Sequence, residues 1–208
     1  MKKPFSLLIA VIVIFVIAAM AYWFLTTQSN ILGENNLSVP GEILGNNSNQ
    51  NQPSSGNVFA NDNFSLSYPA GWRQVPAMTG ISAMITKGNE NITDPEAKKM
   101  NFQTYLAVSY DSVEGKTKEE IAEYVKSEVA AVFPGIVFSN EKFSTINGRE
   151  AYSLEMTFSK SGVDFHVLEV VVWGNENDLW ILSFNTLEEL WQNYIGEFEE
   201  MTGTFIIK

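Results

Sequence analysis

The 208 residues contain no cysteine. That gap excludes disulfide bonds, thiolate zinc sites, a cysteine nucleophile and a lipidated cysteine anchor. Basic residues are scarce, at 13 lysines and arginines against 24 aspartates and glutamates, for a net charge of −11. Two of the cations, Lys2 and Lys3, precede an uncharged apolar run, so beyond Leu25 the imbalance deepens to 11 against 24. Such a surface repels phosphate backbones, which excludes nucleic acid as a partner, and it gives no adhesion to an anionic leaflet. Histidine occurs once. No Gly-x-Ser-x-Gly, no phosphate-cradling glycine loop and no His-Glu-x-x-His is present, so the common sequence signatures of hydrolases, nucleotide binders and zinc proteases are missing.

What the chain does have is a long hydrophobic stretch. Phe5 to Leu25 reads FSLLIAVIVIFVIAAMAYWFL without a charge. About 20 apolar residues span the hydrocarbon core as a helix, and lysines on the N-terminal side alone keep that side cytoplasmic. Residues 1–25 are therefore expected to be a single-pass transmembrane anchor, with everything after them extracytoplasmic. Ala19-Met20-Ala21 also fits the small-x-small pattern of a cleaved signal peptide. The apolar run continues through Tyr22 and Trp23, however, which suit an interfacial aromatic belt. A pilin-type leader would carry a glycine at the processing site and an early glutamate, and this run has neither.

Residues 26–57 change character abruptly. Asn46 to Asn57 contains no apolar side chain, and such a stretch buries too little to offset its ordering entropy, so a disordered linker is expected. A flexible coil of about 30 residues reaches on the order of 30 Å. The repeated Ile31-Leu32-Gly33 and Ile43-Leu44-Gly45 within it read as chance similarity.

Residues 58–208 form the folded part. Phe64, Leu66 and Tyr68 alternate with serines, and Tyr152, Leu154, Met156 and Phe158 alternate with polar residues, each set reading as a strand with one face in a core. Further strands are expected at 104–110, 136–143, 163–173, 179–185 and 204–207. Leu168 to Trp173 is nearly all apolar apart from Glu169, as in a strand covered on both faces. Asn147-Gly148 and Ser161-Gly162 suit tight hairpin turns, and Gly174 to Asp178 a longer one. Thr117 and Glu120 form a capping box ahead of a helical stripe through Ile121, Val125, Val129 and Phe133, stopped by Pro134-Gly135. Thr186 and Glu189 predict a second box, before the stripe Leu187, Leu190, Trp191, Tyr194, Ile195, Phe198 and Met201. The fold class predicted is α+β, with helices packed on a mainly antiparallel sheet.

Chemistry-bearing residues are few. His166 shares a strand face with Asp164, a pair that could bind one metal or act as acid and base, but one histidine without a second ligand at proper spacing is a weak site, and an exposed polar pair on a strand is the favoured reading. Asn61-Asp62-Asn63 and Asn175-Glu176-Asn177-Asp178 are oxygen-rich but lack the ligand spacing of a calcium loop, and so read as turns. Asp94-Pro95-Glu96 falls in a long polar loop from Lys87 to Lys99. No catalytic residue and no cofactor are predicted.

Phe64-Ser65-Leu66-Ser67-Tyr68-Pro69-Ala70-Gly71-Trp72 resembles the opening strand, Tyr-Pro and following aromatic of the PsbP-like family. The C-terminal portion is similar too, with paired long strands, an amphipathic helix from Leu187 and a closing strand ending Phe205-Ile206-Ile207. That family comprises extrinsic proteins of the photosystem II oxygen-evolving complex and bacterial lipoprotein or membrane-anchored relatives. The resemblance covers Val58 to Lys208 and implies an α-β-α sandwich around a central antiparallel sheet, without catalytic residues. Its photosynthetic members stabilise a metal-ion site built by other subunits. An anchor and an Asn-rich linker depart from lumenal PsbP, so that role does not transfer. The expected function is a membrane-anchored extracytoplasmic binding or assembly module, not an enzyme, with an envelope protein as partner. Its site is expected at a sheet edge or loop pocket near Trp72 and the Lys87–Lys99 loop. The alternatives are a metal-dependent structural protein of the envelope, binding a divalent cation weakly, and an envelope hydrolase built on His166.

Overall fold

The computed structural model describes residues 57–113 and 115–208. The apolar run Phe5–Leu25 and all but the last residue of the expected linker lie outside the described residues. Among the described residues, no helix is long and apolar enough to cross a membrane.

Among the described residues ten strands and three α-helices follow one another: β1(Asn57–Ala60), β2(Phe64–Tyr68), β3(Trp72–Val75), β4(Ile81–Lys87), α1(Pro95–Lys99), β5(Tyr105–Ser112), α2(Lys118–Val132), β6(Val137–Ile146), β7(Arg149–Lys160), β8(Val163–Trp173), β9(Asp178–Leu187), α3(Trp191–Gly203) and β10(Ile206–Ile207). Seven strands make the main sheet in the order β3-β4-β5-β9-β8-β7-β6, and β1-β2-β10 make a small one. Every pairing in both sheets is antiparallel. The fold is the predicted α+β class, with helices on both faces of the large sheet.

The long hairpins form as their turns dictate. Asn147 and Gly148 have φ of 47° and 79°, and Ser161 and Gly162 have 53° and 79°. Two successive positive φ values match the twist of the flanking strands. The Ser161-Gly162 turn sets the register of β7 on β8 from Lys160↔Val163 to Ala151↔Val172.

Both faces of the middle strands are buried. Leu168, Val170 and Val172 of β8 join a core with β2, Trp180, Leu182 and Phe184 of β9, and Trp191, Phe198 and Met201 of α3. Val167 and Val171 point the other way, into a core closed by Ile121, Val125 and Val129 of α2. A third cluster under α1 gathers Ala97, Phe102, Tyr105, Phe165 and Leu187. This is why β8 reads as a nearly continuous apolar run.

One local expectation holds and two change. The Thr117–Glu120 capping box forms, with Thr117 Oγ1 accepting from the Glu120 amide and Glu120 from the Thr117 amide. The Thr186–Glu189 box does not. β9 continues to Leu187, a 3-10 turn follows at Glu188–Leu190, and α3 starts at Trp191 with no side-chain cap. Thr186 is fully buried and its hydroxyl meets that of Thr104 at 2.8 Å, while Glu189 accepts from Thr93. Tertiary partners outcompete the local cap. The Lys87–Lys99 loop is also less loose than its polarity implies. Asp94 accepts from the Ala97 amide and caps α1, and Glu90 accepts from both the amide and hydroxyl of Thr104.

Candidate functional site

Trp72, the aromatic expected to mark a pocket, is 3% exposed. Its indole Nε1 donates to Glu197 of α3, and Lys87 Nζ lies 2.9 Å from both Glu197 oxygens. The same ammonium sits 5.4 Å from the Trp72 ring centre and 5.3 Å from that of Tyr194. Burial, and after it a hydrogen bond to Glu90, pushes the Tyr194 phenol up from its usual range. This cluster rivets α3 onto β3 and β4. Trp72, Lys87 and Glu197 thus pack α3 against the sheet.

The histidine is also committed. His166 Nδ1 lies 2.7 Å from Glu188 and Nε2 3.1 Å from Glu155. Its ring stacks on Trp191 with centroids 3.6 Å apart and planes 3° apart. The imidazole donates to both carboxylates at once only as the doubly protonated ring. Asp164 lies on the same strand face but pairs with Ser159 instead, its carboxylate accepting from the hydroxyl, and is exposed. The structure therefore does not join the two sequence candidates. Among the described residues, no group of three His, Cys, Asp or Glu side chains is arranged to hold a metal ion. Asn61 makes a turn, its carboxamide accepting from the amides of Asn63 and Phe64.

An open groove does exist, on the α3 side of the sheet. It has a volume of about 810 Å³ and runs between α3 and the strands β6, β7 and β8. Leu168, Val170, Ile146 and Ile195 supply apolar lining, and Glu155 and Glu199 carboxylates, with Lys142 at the β6 side. Ser153 also lines it. This serine is 6% exposed and its hydroxyl has no hydrogen-bond partner. Unsatisfied buried hydroxyls are uncommon and costly, on the order of 1–3 kcal/mol. Glu155 belongs to the groove and to His166 at the same time, so the imidazole orients the carboxylate that the groove presents.

β6 forms the outer wall and one edge of the large sheet. Eight of its ten residues are exposed. Its pairing to β7 is irregular between Ser139 and Lys142, where Asn140 takes a φ of 51°. From Lys142 to Ile146 the register is regular, opposite Ser153 to Arg149.

A second polar cluster lies on the opposite face. Glu169 of β8 sits across from Ser183 of β9, next to Asn185 and near Tyr105. Burial pushes the Glu169 carboxyl up to about 7, partly offset by the Ser183 hydroxyl. Tyr105 is driven far above its usual range by burial and then by Glu169. Asp111 on β5 is raised by burial as well, against a hydrogen bond from the Ser112 amide.

Sheet order, helices on both faces and a small sheet sealing one end define an α+β sandwich of the PsbP type. The chain belongs to the PsbP family, whose model matches residues 56–207. No curated protein matches it in sequence. Among solved structures it is similar to the cyanobacterial PsbP (CyanoP) of Synechocystis sp., at 16% identity and a TM-score of 0.53, over 78% of this chain and 98% of that one. LpqN of Mycobacterium tuberculosis, described as involved in cell envelope biogenesis, is 17% identical with a TM-score of 0.54, over 74% and 85%. The Ran-binding protein Mog1p of Saccharomyces cerevisiae shares 7% identity and a TM-score of 0.54, over 74% and 96%. At these identities the likeness is one of fold.

Proposed function

We propose that this chain is a membrane-tethered, extracytoplasmic binding or assembly module without catalytic activity, and that it holds a protein partner in the groove between α3 and β6–β8. The observation that carries this reading is the groove itself, with its apolar floor, its carboxylates and the unpartnered Ser153 hydroxyl. Concave, mostly apolar surfaces with a few convergent polar groups are where proteins take up guests. Both nitrogens of His166 face carboxylates, which favours a positioning role over acid–base work. LpqN, of similar fold, is described as involved in cell envelope biogenesis, in keeping with an envelope role.

The tether is tested by fractionation. The full chain should stay with membranes through an alkaline wash and be released by detergent, whereas a chain beginning at residue 26 should be soluble. A full chain recovered in the soluble fraction would overturn the anchor. The groove is tested with a photoreactive amino acid in place of Ser144 or Thr202 in intact membranes. A discrete adduct should form from either position and not from Ala130 on α2, across the sheet. Equal labelling from Ala130, or none from the groove, would sink the reading.

A further inference from the structure

We propose that the regular half of β6, Lys142 to Ile146, accepts an extended segment of the partner as an eighth strand, and that this segment alternates basic and apolar side chains. This rests on the groove as the binding site and names the chemistry of its guest.

The edge comes first. β6 ends the strand order, so its outer side carries backbone donors and acceptors without a ladder partner among the described residues. Proteins guard such edges with bulges, and the irregularity at Ser139–Lys142 guards the first half of β6. The second half keeps a regular register with Lys142 as its one charged side chain, and it borders the groove, which Lys142, Ser144 and Ile146 help to line. β3, the opposite edge, has only four residues. Adding a strand to a free edge gives affinity through the backbone and specificity through pockets on alternate sides.

The alternation of the guest follows from the two faces of β6. Lys142 and Ser144 lie opposite Ser153 and Ala151, so they face α3 and the groove. Phe143 lies opposite Tyr152 and faces the other way, 51% exposed, its ring 5.2 Å from that of Tyr152. A strand laid beside β6 would set every second side chain against Phe143, an apolar contact. The intervening side chains would enter the groove, where Glu155 and Glu199 outnumber Lys142. Glu141 lines the groove as well; Lys126 is shared between Glu141 and Glu123, as His166 is between Glu155 and Glu188, so both groove carboxylates keep part of their charge. Cationic side chains complement that balance and amide donors suit the Ser153 hydroxyl. A second copy of this chain is disfavoured, since 24 acidic residues against 11 basic ones beyond Leu25 repel their like.

The test uses the full chain in non-ionic detergent, with fluorescein-labelled octapeptides followed by anisotropy. One alternates valine and lysine, one alternates valine and glutamate, and one is the valine–lysine peptide N-methylated at alternate amides. Only the first should bind. Its affinity should fall about tenfold in Glu199→Gln, an exposed position that leaves the fold intact, and again on adding salt. Bound peptide should slow amide hydrogen exchange within Lys142–Ile146, and Phe143→Ser should weaken binding without changing the melting temperature. Equal binding of the N-methylated or acidic peptide, protection elsewhere, or a dimer of this chain paired through β6 would overturn the proposal. A groove adduct in membranes without any peptide binding would refute the added strand and leave the groove standing. Absence of both would refute both.

Discussion

Glu169 occupies the centre of β8, 6% exposed, between Leu154 of β7 and Ser183 of β9. A carboxyl held near 7 is neutral in the folded chain at mildly acid pH, whereas the unfolded chain ionises it above about 4.3. Between those values the folded state binds the extra proton, so stability falls as pH rises. The stability is fully present below about pH 4 and is lost through about pH 7, on the order of 3 kcal/mol in all. Glu169→Gln should flatten that slope and raise the melting temperature at pH 8 relative to the wild type. A calorimetric series from pH 5 to pH 8 checks it, and an unchanged slope in the variant would sink it. His166 shows what a single residue discloses in advance. Its strand face was legible from alternation, and so was its neighbour Asp164. The Ser161-Gly162 turn places Thr157 opposite His166, which sets Glu155 two residues along on the same face. That signal was in the sequence, whereas Glu188 and Trp191 enter from a turn and helix whose placement it does not specify.

At the scale of elements, the two Thr-x-x-Glu strings separate local from tertiary control. Glu120→Ala should cost about 1 kcal/mol, since both halves of its capping box form. Glu189→Ala should stay within about 0.5 kcal/mol, because its box is absent and its bond to Thr93 is exposed. Chemical denaturation of both variants checks the contrast, and equal losses would refute it. Strands β2, β5 and β7 to β9 were legible because each buries at least one face along most of its length, whereas β6, eight of its ten residues exposed, was legible only as far as Phe143. β1, β3 and β4 were not. β1 and β3 have four residues each, and β4 mixes buried and half-buried positions without clean alternation. α1, at five residues, is too short for a helical period to show. The groove escaped for a different reason. Its walls come from α3 and β6, far apart in the chain, and a concavity depends on how elements sit together.

Across the whole molecule, Phe64 joins the two sheets. It is fully buried, with ring centres 5.2 Å from Phe59, 5.0 Å from Trp180 and 5.3 Å from Phe205. Phe64→Ala should destabilise the chain by about 3–5 kcal/mol, while Val58→Ala, at a position 61% exposed, should change little. Urea midpoints of the two variants decide it, and a small effect at Phe64 would mean that the small sheet is dispensable. That small sheet also sets a schedule. β2 pairs on one side with β1, made just before it, and on the other with β10, and Ser67 bonds Thr204 across 137 residues of sequence. At about 5–20 residues per second of synthesis, β2 waits on the order of ten seconds for its second neighbour. Through that interval Phe64 and Leu66 lack Phe205 and α3 to cover them. A nascent chain is thus unfinished until its latest segment arrives, and any helper that shields it must hold on for the full wait.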